Sequence, residues 1–418
     1  MMSLWPLNKW HQVRATLLGC CLSVSTLDAG AVVMAITATF NPDPSNPRHN
    51  TFRNTTRSEG FCRDQPEICK THNILSLNFG GVPHNGPIQP DHTDVRAGAM
   101  IKTPAACRSL QVTDQVTGET AIVEVRIAGM GGTYEALPSV GEITGEGNWW
   151  SGHAKLWGSN WQTAPSPCVG IGVNSVSHTA FYFFWLTPEE TICAKQAKFL
   201  IPSFGYRYSS FSYELRTPDP LKMSTGVYVG TQVYSVGRGG DFDLGDITIP
   251  HDTTVQLDFT LTVEHTLKVE IPPGGHRVEL LPQGGWQAWL NQGSRPARLF
   301  RDQTFNLSAS SRFKMNLECQ HHAANTCALH EPVSGHTVPM NIAVSLPNGM
   351  TDALGQSINR RPLLRDGSGT ELFQPRHYVD RKPATLHFEV AREEVEEMLD
   401  GSGKTYSGNV TVVWDSEV

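Results

Sequence analysis

The chain has 418 residues, a formal net charge of −7 and only 17% charged residues. An acidic balance argues against nucleic-acid binding as its main task, because affinity for phosphate backbones rests on clustered Lys and Arg. At roughly 100–200 residues per domain the length gives two or three domains able to bury their own cores, and 38 Gly with 27 Pro mark a turn-rich chain.

At the N-terminus, Lys9 and Arg14 precede the apolar stretch Ala15 to Val24, and Ala29-Gly30-Ala31 and Val33-Met34-Ala35 follow as small-residue cleavage sites. This is the pattern of a secretory signal. We place the cut after Ala35, with Ala31 as the alternative, so that residues 1–35 are the signal. Asp28 interrupts the run, leaving fewer than the roughly 20 apolar residues that a spanning helix needs. The mature chain is therefore predicted to be soluble and exported. Its seven cysteines are Cys62, Cys69, Cys107, Cys168, Cys193, Cys319 and Cys327, and in an oxidising compartment their default state is disulfide-bonded. The simplest scheme joins Cys62 to Cys69, Cys168 to Cys193 and Cys319 to Cys327. It leaves Cys107 over, and Cys107 could also displace Cys62 or Cys69.

Further along, alternating runs bounded by Gly, Pro, Asn and Asp recur: Thr120 to Ile127, Val255 to Val263, Leu267 to Ile271 and Asn341 to Leu346. Period two with β-branched residues predicts half-buried strands. Phe181-Tyr-Phe-Phe-Trp185 is continuous and ends at Thr187-Pro188, so it reads as a fully buried strand. Trp149, Trp150, Trp157 and Trp161 are interleaved with Gly, Ser, Asn and His; in a loop such aromatics suit stacking on a sugar face, and otherwise they fill the core. The one persuasive helix spans Ala391 to Asp400, with Ala391, Val395, Met398 and Leu399 on one face and Gly401 as a stop. Many short strands with frequent turns predict an all-β protein of two β-sandwich domains, divided near Glu264-His265.

Motifs for chemistry mostly dissolve. Gly401-Ser-Gly-Lys-Thr405 follows a helix and opens a strand, the reverse of a phosphate loop, and its first glycine would fall at Met398. Cys319, His321, His322, Cys327 and His330 have metal-ligand residue types, yet the short span in an exported chain favours a disulfide loop, so no metal and no cofactor is expected. No hydrolase, metalloprotease or spaced-carboxylate motif singles out a catalytic residue, so the chain is not expected to be an enzyme. Arg53, Arg57, Arg63 and Arg238 could each pair bidentately with an anionic ligand.

Leu267-Lys-Val-Glu-Ile271, Pro282-Gln-Gly-Gly-Trp286, Phe313 to Cys319 and the terminal Lys404 to Trp414 together resemble the tip adhesins, or pilus biogenesis initiators, of alpha-class (class 5) chaperone–usher fimbriae, the family of the colonization factor antigen and cable pili. The match is clearest from Ile201 onward. The resemblance implies a receptor-binding domain over residues 36–264 and a pilin domain over 265–418. The pilin domain would be an incomplete immunoglobulin-like sandwich that lacks its last strand and is completed by a donor strand. Tyr406 would begin its final edge strand, and Val410, Val412 and Trp414 would face the open groove. The implied partners are a periplasmic chaperone, an outer-membrane usher, the adjacent major pilin subunit and a host glycan or glycoprotein. The implied destination is the fimbrium tip, reached through the periplasm. Arg57, five residues before Cys62, and Arg238 match the family's receptor arginines, although Gly239 stands where the family pairs a second arginine. Cys168 and Cys193 match its later adhesin-domain pair. The competing functions are a structural initiator of pilus assembly without receptor binding and an exported carbohydrate-active enzyme.

Overall fold

Apolar alternation is realised as strand along the whole described chain. The structure is a computed structural model that describes residues 31–172, 175–293, 295–400 and 403–416. Of the expected signal, residues 1–30 lie outside the described residues.

The first unit is built from β1 (Ala31–Phe40), β2 (Leu75–Asn85), β3 (Arg108–Asp114), β4 (Thr120–Leu137), β5 (Ala180–Leu186), β6 (Ser203–Arg216), β7 (Gly226–Ser235) and β8 (Thr254–Val263). These join in the order β1-β8-β7-β3-β4-β6-β2, with β5 pairing to β4 as a branch. Strand β8 shows the expected alternation, with Val255, Leu257, Phe259, Leu261 and Val263 buried. Strand β4 alternates at first and then is buried on both faces from Ala128 to Ala136. Its backbone touches β5 so closely there that a Cβ on Gly131 would lie 2.3 Å from the Phe183 carbonyl oxygen. The Phe181 to Trp185 strand is wholly buried, as its continuous apolar run predicted.

Strand β1 runs parallel to β8 from Ala31 beside Thr254 to Phe40 beside Val263. A cut after Ala35 would therefore remove five of the ten residues of this strand, whereas a cut after Ala31 would remove one.

The second unit contains β9 (Leu267–Glu270), β10 (Leu299–Ala309), β11 (Lys314–Cys319), β12 (Thr326–His330), β13 (Thr337–Ser345), β14 (Val379–Val390) and β15 (Val410–Asp415). One sheet runs β9-β10-β14-β13-β12, and β11 pairs with β15 as a separate two-stranded sheet. The two sheets enclose a core of Phe305, Leu307, Phe313, Met315, Leu317, Ile342 and Val344, separate from the core of the first unit.

Helices are more numerous than the sequence implied. Alongside α5 (Arg392–Met398), inside the helical stretch expected there, the chain forms α1 (Phe61–Asp64), α2 (Pro66–His72), α3 (Trp149–Trp157) and α4 (Gly285–Gln292). Three of the four clustered tryptophans, Trp149, Trp150 and Trp157, lie on α3, a helix that the sequence reading did not name. Asn148 caps it by accepting a hydrogen bond from the Ser151 amide at 3.0 Å, and Gly158 ends it in the left-handed conformation.

Sulfur chemistry follows the simplest local scheme. Disulfides join Cys62–Cys69, Cys168–Cys193 and Cys319–Cys327, and Cys107 is a free, exposed thiol.

Beyond α3, the buried Lys195 amine holds the next loop by donating to Ser159 Oγ at 2.7 Å and to the Asn160 carbonyl at 3.0 Å. Burial pulls its pKa down to about 8. Between pH 8 and the higher value of the unfolded chain, the unfolded state binds more protons, so stability rises with pH across that window. We expect the wild type to gain on the order of 1–3 kcal/mol from pH 7.5 to 9.5 relative to Lys195→Met. Urea unfolding at the two pH values measures this, and parallel curves for the two proteins would refute it.

Candidate functional site

The hollow that holds Arg57 is built on α1 and α2, a two-helix cap locked by the Cys62–Cys69 disulfide over the outer face of β4 and β5. Under the cap, Phe61 stacks on Phe184 at 4.2 Å. The entering turn is fixed from beneath: Cys62 N–H donates to Ser76 Oγ at 2.7 Å, and Phe61 N–H to Ser210 Oγ at 3.2 Å. Gly60 has φ +56°, and a Cβ there would lie 2.4 Å from the Ser210 Cβ, so the turn needs glycine.

This turn opens a hollow of about 310 Å³ lined by Arg57, Glu59, Arg63, Asn78 and Tyr208, with Ser58 and Gly60 completing it. Arg63 donates to Asp64 Oδ1 at 3.0 Å. Asp64 also accepts from the Tyr182 hydroxyl at 3.3 Å, and burial followed by the Asp64 charge holds that phenol well above its ordinary pKa. Arg57 is exposed and has no ion-pair partner among the described residues. The hollow thus presents one unpaired guanidinium, a second already positioned, an amide, a carboxylate and the exposed face of Tyr208. Such a set can grip a carboxylate bidentately and stack on a sugar ring. Arg63, Asn78 and Tyr208 were not singled out together by sequence, because they come from α1, β2 and β6.

Arg238 does not join this site. It donates to Asp246 Oδ2 at 2.9 Å, and its neighbour Gly239 lines a different hollow with Arg96, Lys102, Glu190 and Asp243. There Arg96 grips Asp243 at 2.8 and 3.1 Å and also bonds Asp246. Burial raises the pKa of Asp243, but the Arg96 hydrogen bonds and the Gly239 and Gly245 amides outweigh it and leave the carboxylate below its usual range. Arg57 and Arg238, matched together from sequence, therefore do not line one hollow: Arg57 lies with Arg63, itself paired with Asp64, and Arg238 is paired with Asp246 beside the other hollow.

The four tryptophans divide. Trp157 and Trp161 are core residues, Trp161 fully buried and stacked on Trp185 at 4.8 Å, which excludes them from sugar stacking. Trp149 and Trp150 stay 50% and 39% exposed on α3, against His178 and Phe181.

In the second unit, Val410, Val412 and Trp414 are half-buried against the core from β15. Trp414 packs on Phe305 and Phe313, each at 5.4 Å. Among the described residues β15 pairs only with β11, and β9 only with β10. Leu267 and Val269 of β9, with Val278 and Leu280 after it, also lie half-buried on this core. Two strands with one unpaired edge each therefore place apolar side chains on a shared floor, and Leu267, Val269, Val278 and Leu280 join the groove residues named from sequence. Tyr406 does not begin the strand. The ladder starts at Val410, and Tyr406 stands before it with its hydroxyl hydrogen-bonded to His336 at 2.8 Å.

No family model and no curated protein matches the chain. Among solved structures it is similar to one described as "Chaperone-tip adhesin complex is vital for synergistic activation of CFA/I fimbriae biogenesis", at 11% identity and TM-score 0.24, covering 93% of this chain and 97% of that one. It is similar to CfaE, the adhesive subunit of CFA/I fimbria of enterotoxigenic Escherichia coli, at 10% identity and TM-score 0.23, covering 92% of each chain. A third is the CsuC–CsuE chaperone–tip adhesion subunit pre-assembly complex from archaic chaperone-usher Csu pili of Acinetobacter baumannii, at 10% identity and TM-score 0.20, covering 93% and 98%. At such TM-scores the likeness decides nothing about function, which rests on the residues themselves.

Replacing Gly60 by Ala should cost about 1–3 kcal/mol through backbone strain and displacement of Ser210. Denaturant unfolding measures the loss, and an unchanged midpoint would show that the turn does not depend on glycine.

Proposed function

We propose that the chain is a two-domain adhesin at the tip of a chaperone–usher fimbria. Residues 36–264 bind a host-surface glycan or glycoprotein, and residues 265–418 form an incomplete pilin domain. The observation that carries this reading is β15: among the described residues one of its edges has no strand partner, while Val410, Val412 and Trp414 are already half-buried on a core that Leu267 and Val269 of β9 also pack against. Such a pair of edges is a template for an added strand, supplied first by a periplasmic chaperone at an outer-membrane usher and then by the adjacent major pilin subunit.

Receptor recognition is placed at Arg57, Arg63, Asn78 and Tyr208, a set suited to an acidic sugar. Trp149 and Trp150, the two exposed members of the tryptophan cluster, offer a second stacking surface. Because the recognition hollow and the open groove lie in different units, the two activities can be removed separately.

An alternating apolar peptide of pilin-strand type should raise the melting temperature of the purified protein by mass action, and Val412→Asp should abolish the gain. A peptide that neither binds nor stabilises would remove the fimbrial reading. Arg57→Ala with Arg63→Ala should weaken binding to sialylated glycans about tenfold or more, as expected for losing charged hydrogen bonds, while peptide stabilisation stays intact. Undiminished glycan binding by the double variant, measured on immobilised glycans, would exclude this receptor site.

A further inference from the structure

The two units are joined by Glu264, His265 and Thr266 alone, between the end of β8 at Val263 and the start of β9 at Leu267. The His265 ring lies in the joint and bonds to both sides. Its Nε2 is 2.8 Å from the Met223 carbonyl oxygen of the first unit, and its Nδ1 is 3.1 Å from Ser310 Oγ of the second. Its ring packs edge-on against Phe40, the last residue of β1, at 5.6 Å.

These partners fix where the proton sits. A carbonyl oxygen only accepts, so Nε2 carries the hydrogen and donates to Met223, leaving Nδ1 to accept from the Ser310 hydroxyl. Ser310 in turn accepts from the Thr266 N–H at 2.9 Å. The result is a directional chain from Thr266 through Ser310 and His265 to Met223 in which, with the ring neutral, every hydrogen has an acceptor.

We propose that His265 is a latch that fixes the angle between the two units while its ring is neutral and frees the joint when the ring takes up a proton. Protonation places a hydrogen on Nδ1, and Ser310 Oγ can accept it alongside the Thr266 N–H only by turning its own hydrogen away from the ring. Ser310 is fully buried, so its displaced hydrogen has no water to turn to, and an unsatisfied buried donor is costly. The charged groups facing the ring are Arg312, from the turn before β11, which opposes its protonation, and Glu119, from the β3–β4 turn, which favours it; Glu264 neighbours it on the linker itself. Burial is the largest influence and lowers the ring's pKa below its ordinary 6.5, so the locked joint is complete above that pH and is lost as pH falls beneath it. Among the described residues the further side-chain hydrogen bonds between the units are Tyr378 N–H to Asn50 Oδ1 at 3.3 Å and Arg312 to Ser224 Oγ at 3.5 Å.

The test labels the exposed Cys107 of the first unit and Val333→Cys, 93% exposed in the second, with a fluorescent donor and acceptor on the full secreted chain. The inter-dye distance distribution should be narrow at pH 7.5, broaden at pH 5.0 and narrow again on return. His265→Gln, which can still donate to Met223 but does not titrate in this range, should show the same distribution at both pH values. Ser310→Ala should be broad at both. An unchanged wild-type distribution at pH 5.0, or acid broadening that persists in His265→Gln, would overturn the proposal. Should His265→Gln fail to fold, the imidazole NMR titration of wild-type His265 decides the matter: a midpoint coincident with the broadening supports the latch, and one separated from it by a pH unit or more refutes it.

Discussion

A β-strand has two hydrogen-bonding edges, and a strand buried in a core must satisfy both. The first unit meets this demand. Strand β4 is paired with β6 on one side and with β3 and then β5 on the other, so its backbone is satisfied where its second half is buried on both faces. The second unit does not meet it. Strands β9 and β15 each have one strand neighbour among the described residues, while their side chains have already entered the core. Half-burial of Trp414 between Phe305 and Phe313 commits β15 to the core without giving its outer edge a partner. An added strand would satisfy the edge and cover Val410, Val412 and Trp414 together.

The same economy of partners separates the arginines. Arg57 and Arg238 are both exposed residues of one type on one domain, and sequence alone treats them alike. Asp246 decides between them: it pairs with Arg238 and also with Arg96, so Arg238 belongs to a closed charge network. Arg57 has no such carboxylate and projects from a turn whose backbone is fixed by Ser76 and Ser210. A mild net negative charge says little about this hollow, because beyond about 10 Å surface charges are largely screened at physiological salt.

What was legible in the sequence is what depends on local order. Alternation revealed the strands, a continuous apolar run revealed β5, and short cysteine spacings matched the three disulfides. What was hidden depends on tertiary partners. The tryptophan segment was not seen as a helix because its glycines and polar residues masked a helical face of Gly152, His153, Leu156 and Trp157, and whether a given tryptophan faces core or solvent is set by β5 beneath it. Nothing in the sequence of Ala31–Ala35 shows that β8, more than two hundred residues later, supplies a parallel partner. The Arg57 hollow gathers α1, β2 and β6, a long-range juxtaposition with no local signature.

Strand β1 links these parts in space. At Thr37 its N–H donates to Thr56 Oγ1 at 2.9 Å, and its carbonyl accepts from Thr55 N–H at 2.8 Å, one residue short of Arg57. Three residues along the same strand, the Phe40 carbonyl accepts from Glu264 N–H at 2.9 Å and the Phe40 ring meets His265. The Arg57 hollow and the joint between the units are therefore fastened to the two ends of one short stretch of extended backbone, which β8 holds in register. Coupling between the two would require a discrete element with two arrangements, and the three-residue connection that carries His265 is where we propose one.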